Sequence, residues 1–153
     1  MTISTLLSTI TGEIAALTIS GVTIKDYDEI VASWVSQPNV LYPNPDAPFL
    51  TNFKVEYVSF PHGASAKADF SYTLNYRFLG TQVGQNNSIL KAYPDMIAQV
   101  LLIINSMVTN HSYAGGSASV ELGPVTFGSR VDPAGNQFHG ADIALNVTET
   151  QNA

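Results

Sequence analysis

The stretch AKADFSYTLNYRF, residues 66–78, decides the fold. Ala66, Ala68, Phe70, Tyr72, Leu74, Tyr76 and Phe78 alternate with Lys67, Asp69, Ser71, Thr73, Asn75 and Arg77. Successive side chains of an extended chain point to opposite faces. A period of two sustained this long therefore predicts a long antiparallel strand, with one face on a core and the other toward water or a partner. Residues 53–60 also read as extended, and Pro61, His62 and Gly63 supply a tight turn, so the two segments predict a β-hairpin.

Toward the N-terminus, Ile3, Leu6, Leu7, Ile10, Ile14 and Leu17 fall on one helical stripe, with Thr2 or Ser4 as N-cap. The opposite side carries Ser4, Ser8 and Thr11, so packing rather than propensity must hold this helix. Gly21 ends the pattern, and residues 22–25 read as a short strand leading into Asp26, Asp28 and Glu29. Pro38, Pro43, Pro45 and Pro48 allow at most a short edge strand at 39–42, because proline donates no ladder hydrogen bond.

Toward the C-terminus, a polar loop at 80–87 precedes a second stripe of Tyr93, Ile97, Val100, Leu101, Ile104 and Val108. Pro94 fits only a first turn, which predicts a helix over 94–110. Leu102 projects among Asp95, Gln99 and Ser106 on the wet side of that helix. Three strands follow, at 118–122, 125–131 and 137–148, with Gly123-Pro124 and residues 132–136 as turns and a frayed tail from Glu149. The fold class is α+β: one domain over residues 1–153, a mostly antiparallel sheet with a long β-hairpin, covered on one side by two helices.

Composition narrows the function. At 153 residues and 45% apolar content, one domain can bury a core without disulfides or metals. Only 12% of residues are charged, and Ser, Thr, Asn and Gln take their place. Such a surface loses water at low cost and suits permanent contact with other subunits. The net charge is −6, and the six basic residues are scattered singly, so nothing here is built to grip phosphates. The same acidic excess suits a pore through which DNA passes without sticking. Cysteine is absent, which removes thiolate chemistry and cysteine-ligated zinc. The N-terminal residues lack the charged start and apolar block of a signal peptide, and the apolar run at 100–104 is far short of the roughly 20 residues that span a bilayer. The chain is expected to be made in the cytoplasm, with no membrane partner.

The residues that could carry catalysis or binding have plainer readings. His62, His111 and His139 each stand without a nearby HxH or HxxxH partner, so turn or strand-end histidines explain them better than a metal site. No GxSxG elbow occurs. The glycines at 135 and 140 lack GxGxxG spacing and a following helix, and a turn accounts for them. Asp26, Asp28 and Glu29 lack the glycine and terminal glutamate of a calcium loop and read as a solvated patch. Asn86-Asn87-Ser88, Asn110-His111-Ser112 and Asn146-Val147-Thr148 match a glycosylation pattern without a secretory context. The aromatic face of Phe70, Tyr72, Tyr76 and Phe78 has no flanking basic residues, so it is core rather than a base-stacking platform. The sequence predicts no enzyme, no metal and no cofactor.

Residues 1–30, VLYPNPD (40–46), YTLNYR (72–77), YPDMI (93–97) and DPAGNQFHGADIALNVTE (132–149) resemble the small neck and tail-completion proteins of long-tailed bacteriophages and prophages. Within that group the size and element order are most similar to tail terminators, and the resemblance spans nearly the whole chain. It implies a virion protein that forms a homo-oligomeric ring, typically a hexamer. Such a ring caps the tail tube, joins it to the neck or connector protein, and lets DNA through its lumen. It transfers no catalytic residue. Exposure patterns nominate Asp26, Asp28, Glu29 and Asp46 as lumen-facing, and Leu102, Thr73, Asn75 and the loop at 39–49 as subunit contacts. The alternatives are another neck component, such as a head-closure or portal-adaptor ring, and a small hydrolase or ligand-binding domain.

Overall fold

The computed structural model describes residues 3–26, 38–44, 50–59, 67–83, 93–109, 112–116 and 118–152. In chain order the elements are α1 (Ile3–Ala15), β1 (Thr23–Ile24), β2 (Val40–Pro43), β3 (Leu50–Ser59), β4 (Lys67–Gln82), α2 (Tyr93–Ile104), a π-helical turn (Asn105–Thr109), a short 3-10 turn (Ala114–Gly116), β5 (Ala118–Val131) and β6 (Gln137–Asn152). The sheet runs β1-β2-β4-β6-β5, with β3 also paired to β4. Among the described strands only β1 and β2 are parallel; the other pairs are antiparallel. The architecture is thus α+β with a mostly antiparallel sheet and two helices, as the sequence predicts.

The pleat of the alternating stretch builds the core. Opposite β4, β6 places Val147 beside Tyr72, Leu145 beside Leu74, Ile143 beside Tyr76 and Ala141 beside Phe78. All eight are buried, and they pack under Ile10 and Ile14 of α1 and Met96, Val100 and Ile103 of α2. Each fully buried Leu or Ile contributes about 1.5–3 kcal/mol relative to exposure. Gln99 of α2 ties that helix to the segment between α1 and β1, its Nε2 donating to the Ser20 carbonyl at 2.6 Å. The 3-10 turn is tied to α1 by the Ala114 N–H, which donates to Glu13 at 2.9 Å.

β2 and β3 share one edge of β4. β2 pairs with Tyr76 to Leu79 and β3 with the earlier part, and the Asn44 N–H donates to the Asn75 carbonyl at 3.0 Å between them. The hairpin β3–β4 is the expected one, and its turn at 61–63 lies outside the described residues. β4 continues to Gln82, past the expected end near Phe78. The reason is a second small core on the face away from the helices, where Val40, Tyr42, Leu79 and Phe138 bury one another.

Several expectations are corrected. β2 is not an edge strand: it is buried throughout, because β1 covers it at Val40 and Leu41, and Pro43 falls beyond that pairing. Residues 118–131 form one strand rather than two. Gly123 and Pro124 together oppose Ala144, between the pairs Leu122–Leu145 and Val125–Ile143, so they make a bulge and not a turn. The tail is not frayed from Glu149. β6 stays paired with β4 as far as Asn152, and Glu149 is buried, accepting from the Tyr72 hydroxyl at 3.3 Å. The second helix leaves α geometry at Asn105, and the Tyr113 hydroxyl donates to the Met107 carbonyl at 2.6 Å in the widened turn. The turn at 132–136 is as expected: the Asn136 N–H donates to the Asp132 carboxylate at 2.8 Å, and Gly135 takes φ 93°.

Candidate assembly surfaces

The polar residues of β4 and β6 line the face away from the helices. Thr73 donates to Asn146 Oδ1 at 3.0 Å, and Asn75 donates to Thr51 at 3.2 Å. Arg77 Nε and Arg130 Nε each reach one oxygen of Asp142 at 2.9 Å. Arg77 is buried, although its face was expected to be wet. The two flanking strands rise beside this floor, so that Thr51 and Asn52 on one side and Pro124 and Thr126 on the other enclose a trough of about 310 Å³. Thr73 and Asn146, and Asn75 and Thr51, are thus engaged with one another, and the Asp142 carboxylate is neutralised by two guanidiniums. Among the described residues no group of three His, Cys, Asp or Glu side chains could hold a metal ion. His139, one of the weighed histidines, sits edge-on to the Tyr93 ring at 5.7 Å between centroids; His62 and His111 lie outside the described residues.

The helical face differs in character. Apolar side chains emerge from its rim at Phe53 (45% exposed) and Val55 on β3, at Leu122 (40%), Phe127 and Val131 on β5, and at Ile97, Leu101 (56%) and Leu102 (48%) on α2. Phe53 leans on Phe70 and Tyr72, with ring centroids 6.0 Å away in each case. The α2 residues divide by position around the helix: Ile97 and Leu101 lie on one flank, Leu102 on the outer side, and Gln99 turns to Ser20 in the segment after α1. Both long outer strands have an open edge among the described residues, since β3 pairs only with β4, and β5 pairs with β6 apart from a bridge between Ala118 and Tyr113.

Burial also fixes the protonation of three phenols. Tyr72 is raised well above the ordinary tyrosine range by burial, then by the Glu149 charge and hydrogen bond. Tyr76 is raised by burial and then by the charge of Asp26 and by Tyr113. Tyr113 is raised by burial and then by the charge of Glu13.

The residues nominated from sequence fall in three places. Thr73 and Asn75 are half-buried on the trough floor, and Leu102 is exposed on the opposite side of the sheet, so the three do not form one surface. Asp26 is half-buried and acts on the Tyr76 phenol; Asp28, Glu29 and Asp46 lie outside the described residues. Sequence reasoning missed the exposed rim of β3 and β5. The available signal was Leu122 beside Glu121 just before Gly-Pro, which reads as a strand end unless the bulge is recognised.

No helix among the described residues is long and apolar enough to cross a membrane. No protein-family model matches this sequence, and a comparison with curated proteins finds no match.

Proposed function

We propose that this protein is a structural subunit, shaped to close a ring at the junction of a phage tail tube and its neck, in the manner of a tail terminator. The observation that carries the reading is the set of large apolar side chains exposed around the helical rim of a chain with only 12% charged residues. Apolar surface left open beside uncharged polar groups is the composition of a permanent interface, where desolvation is cheap and contact area is large. On the polar face, among the described residues, Thr73 bonds Asn146, Asn75 bonds Thr51, and Arg77 and Arg130 both bond Asp142. A net charge of −6 favours a lumen through which DNA slides without sticking. The partners on this reading are copies of the chain, the tail-tube protein on one annular face and a neck or connector protein on the other.

The test is to add the purified protein to polymerising tail-tube protein from the same genome and image the products. Rings at one end of tubes whose growth has stopped are expected. Tubes of unaltered length with bare ends would remove the reading.

A further inference from the structure

We infer that copies of this chain join edge to edge, the open side of β5 in one subunit pairing antiparallel with the open side of β3 in the next, so that one sheet continues across the contact. The inference deepens the ring reading by naming the contact.

Three observations converge on it. The first is strand direction. Across β3-β4-β6-β5 each neighbour is antiparallel to the last. With four alternating strands, a second copy in the same orientation presents β3 antiparallel to β5, and the helices of both copies stay on one side. The contact is head-to-tail, the kind that closes rings. The second is the pleat. Phe53 packs on helix-side rings and Val55 pairs with helix-side Phe70, whereas Lys54 pairs with Ser71 on the trough side. On β5, Val120 and Leu122 face the helix side and Glu121 the trough side. Setting Phe53 opposite Leu122 therefore brings Val55 to Val120 and Lys54 to Glu121, apolar against apolar and cation against anion.

The third is where pairing must stop. The Tyr113–Ala118 bridge closes the edge at one end of this window and the Gly123-Pro124 bulge closes it at the other. A rival register sets Lys54 against Asp132 and Glu56 against Arg130. Those partners are already committed, Asp132 buried against Asn136 and Arg130 against Asp142. Lys54 and Glu121 are exposed, and no ion pair holds either among the described residues.

Because the chain has no cysteine, single-cysteine variants give a clean test. F53C and L122C are purified separately, checked for native circular dichroism, and oxidised alone and mixed. A disulfide-linked dimer in the mixture, with neither variant linking to itself, is expected, and the double variant should give a ladder of oligomers that stops at one fixed size. In parallel, K54E and E121K should each weaken self-association on the order of fivefold, with the double variant K54E/E121K regaining it. Self-linking of L122C alone would show β5 pairing with β5 and overturn the inference. So would linkage of V55C to V131C in place of the predicted pair, or a chain that stays monomeric and unlinked at millimolar concentration. Closed rings without the Phe53–Leu122 link would overturn the edge contact and leave the ring reading standing. The link with open-ended ladders only would support the contact and remove the ring.

Discussion

Asp142 bridges two arginines on the sheet face away from the helices, and replacing it with asparagine isolates what that bridge contributes. Both Arg77 Nε and Arg130 Nε lie 2.9 Å from its carboxylate, and the side chains of Arg77 and Asp142 are 9% and 32% exposed. Asp142→Asn keeps the shape but turns one acceptor into an amide donor facing a guanidinium. Losing a charge-assisted hydrogen bond costs about 1.5–3 kcal/mol, and stripping a fully buried pair of one partner costs about 3–5 kcal/mol. Water reaches a third of this carboxylate and can replace part of the loss, so the structure supports about 2 kcal/mol. For a domain of this size each kcal/mol moves Tm by about 2–4 °C, which gives a drop of about 4–8 °C. Arg130→Ala, which leaves the buried Arg77 pair intact, should cost about 1 kcal/mol or less. Urea denaturation of the two variants and the double variant gives the values, and their non-additivity measures the coupling. An Asp142→Asn protein within about 0.5 kcal/mol of wild type would refute the claim that this bridge holds the β4–β6 face.

Other consequences follow from burial and close approach. A Cβ on Gly140 would overlap the Phe78 carbonyl across the β4–β6 ladder, so Gly140→Ala should destabilise by about 1–3 kcal/mol or more in denaturant titrations. Burial raises the phenols of Tyr72, Tyr76 and Tyr113 above the ordinary tyrosine value of about 10. Their contribution is complete below pH about 10 and is lost as pH rises toward the folded-state values. Stability should therefore fall above pH 10 by about 1.4 kcal/mol per pH unit for each phenol still protonated in the fold. Circular dichroism should show cooperative alkaline unfolding coincident with tyrosinate absorbance; gradual tyrosinate formation in a fold that stays intact would contradict it. Leu102→Ser, on the exposed outer side of α2, should leave monomer stability within about 0.5 kcal/mol in urea denaturation, and a larger loss would contradict its exposure.

The parts of the fold legible in sequence are those where one periodicity governs a long stretch. The alternating stretch shows its two faces directly because the helices cover one of them evenly, over β4 and its neighbour β6 alike. Where burial changes sides the pattern misleads: Phe78 and Leu79 are both buried because the sheet carries a second small core on its other face. Proline misled twice. Pro43 suggested an edge strand and Pro124 a turn, yet one lies just beyond its neighbour's reach and the other sits in a bulge on an open edge. Glu149 looked like part of a loose polar tail, but the Tyr72 hydroxyl gives its carboxylate a buried partner that only the register of β4 and β6 discloses. The exposed apolar rim was hidden for a related reason: Phe53 follows a left-handed Asn52 at a bulge, so its side cannot be counted from alternation.

The most direct test of the central claim, that this chain works by closing on copies of itself, is its mass in solution, measured by native mass spectrometry across a concentration series. The account predicts one discrete species at a fixed integer multiple of 16.4 kDa, with a ring outline in electron micrographs. A single 16.4 kDa species at every concentration, alone and with tail-tube protein present, would contradict it.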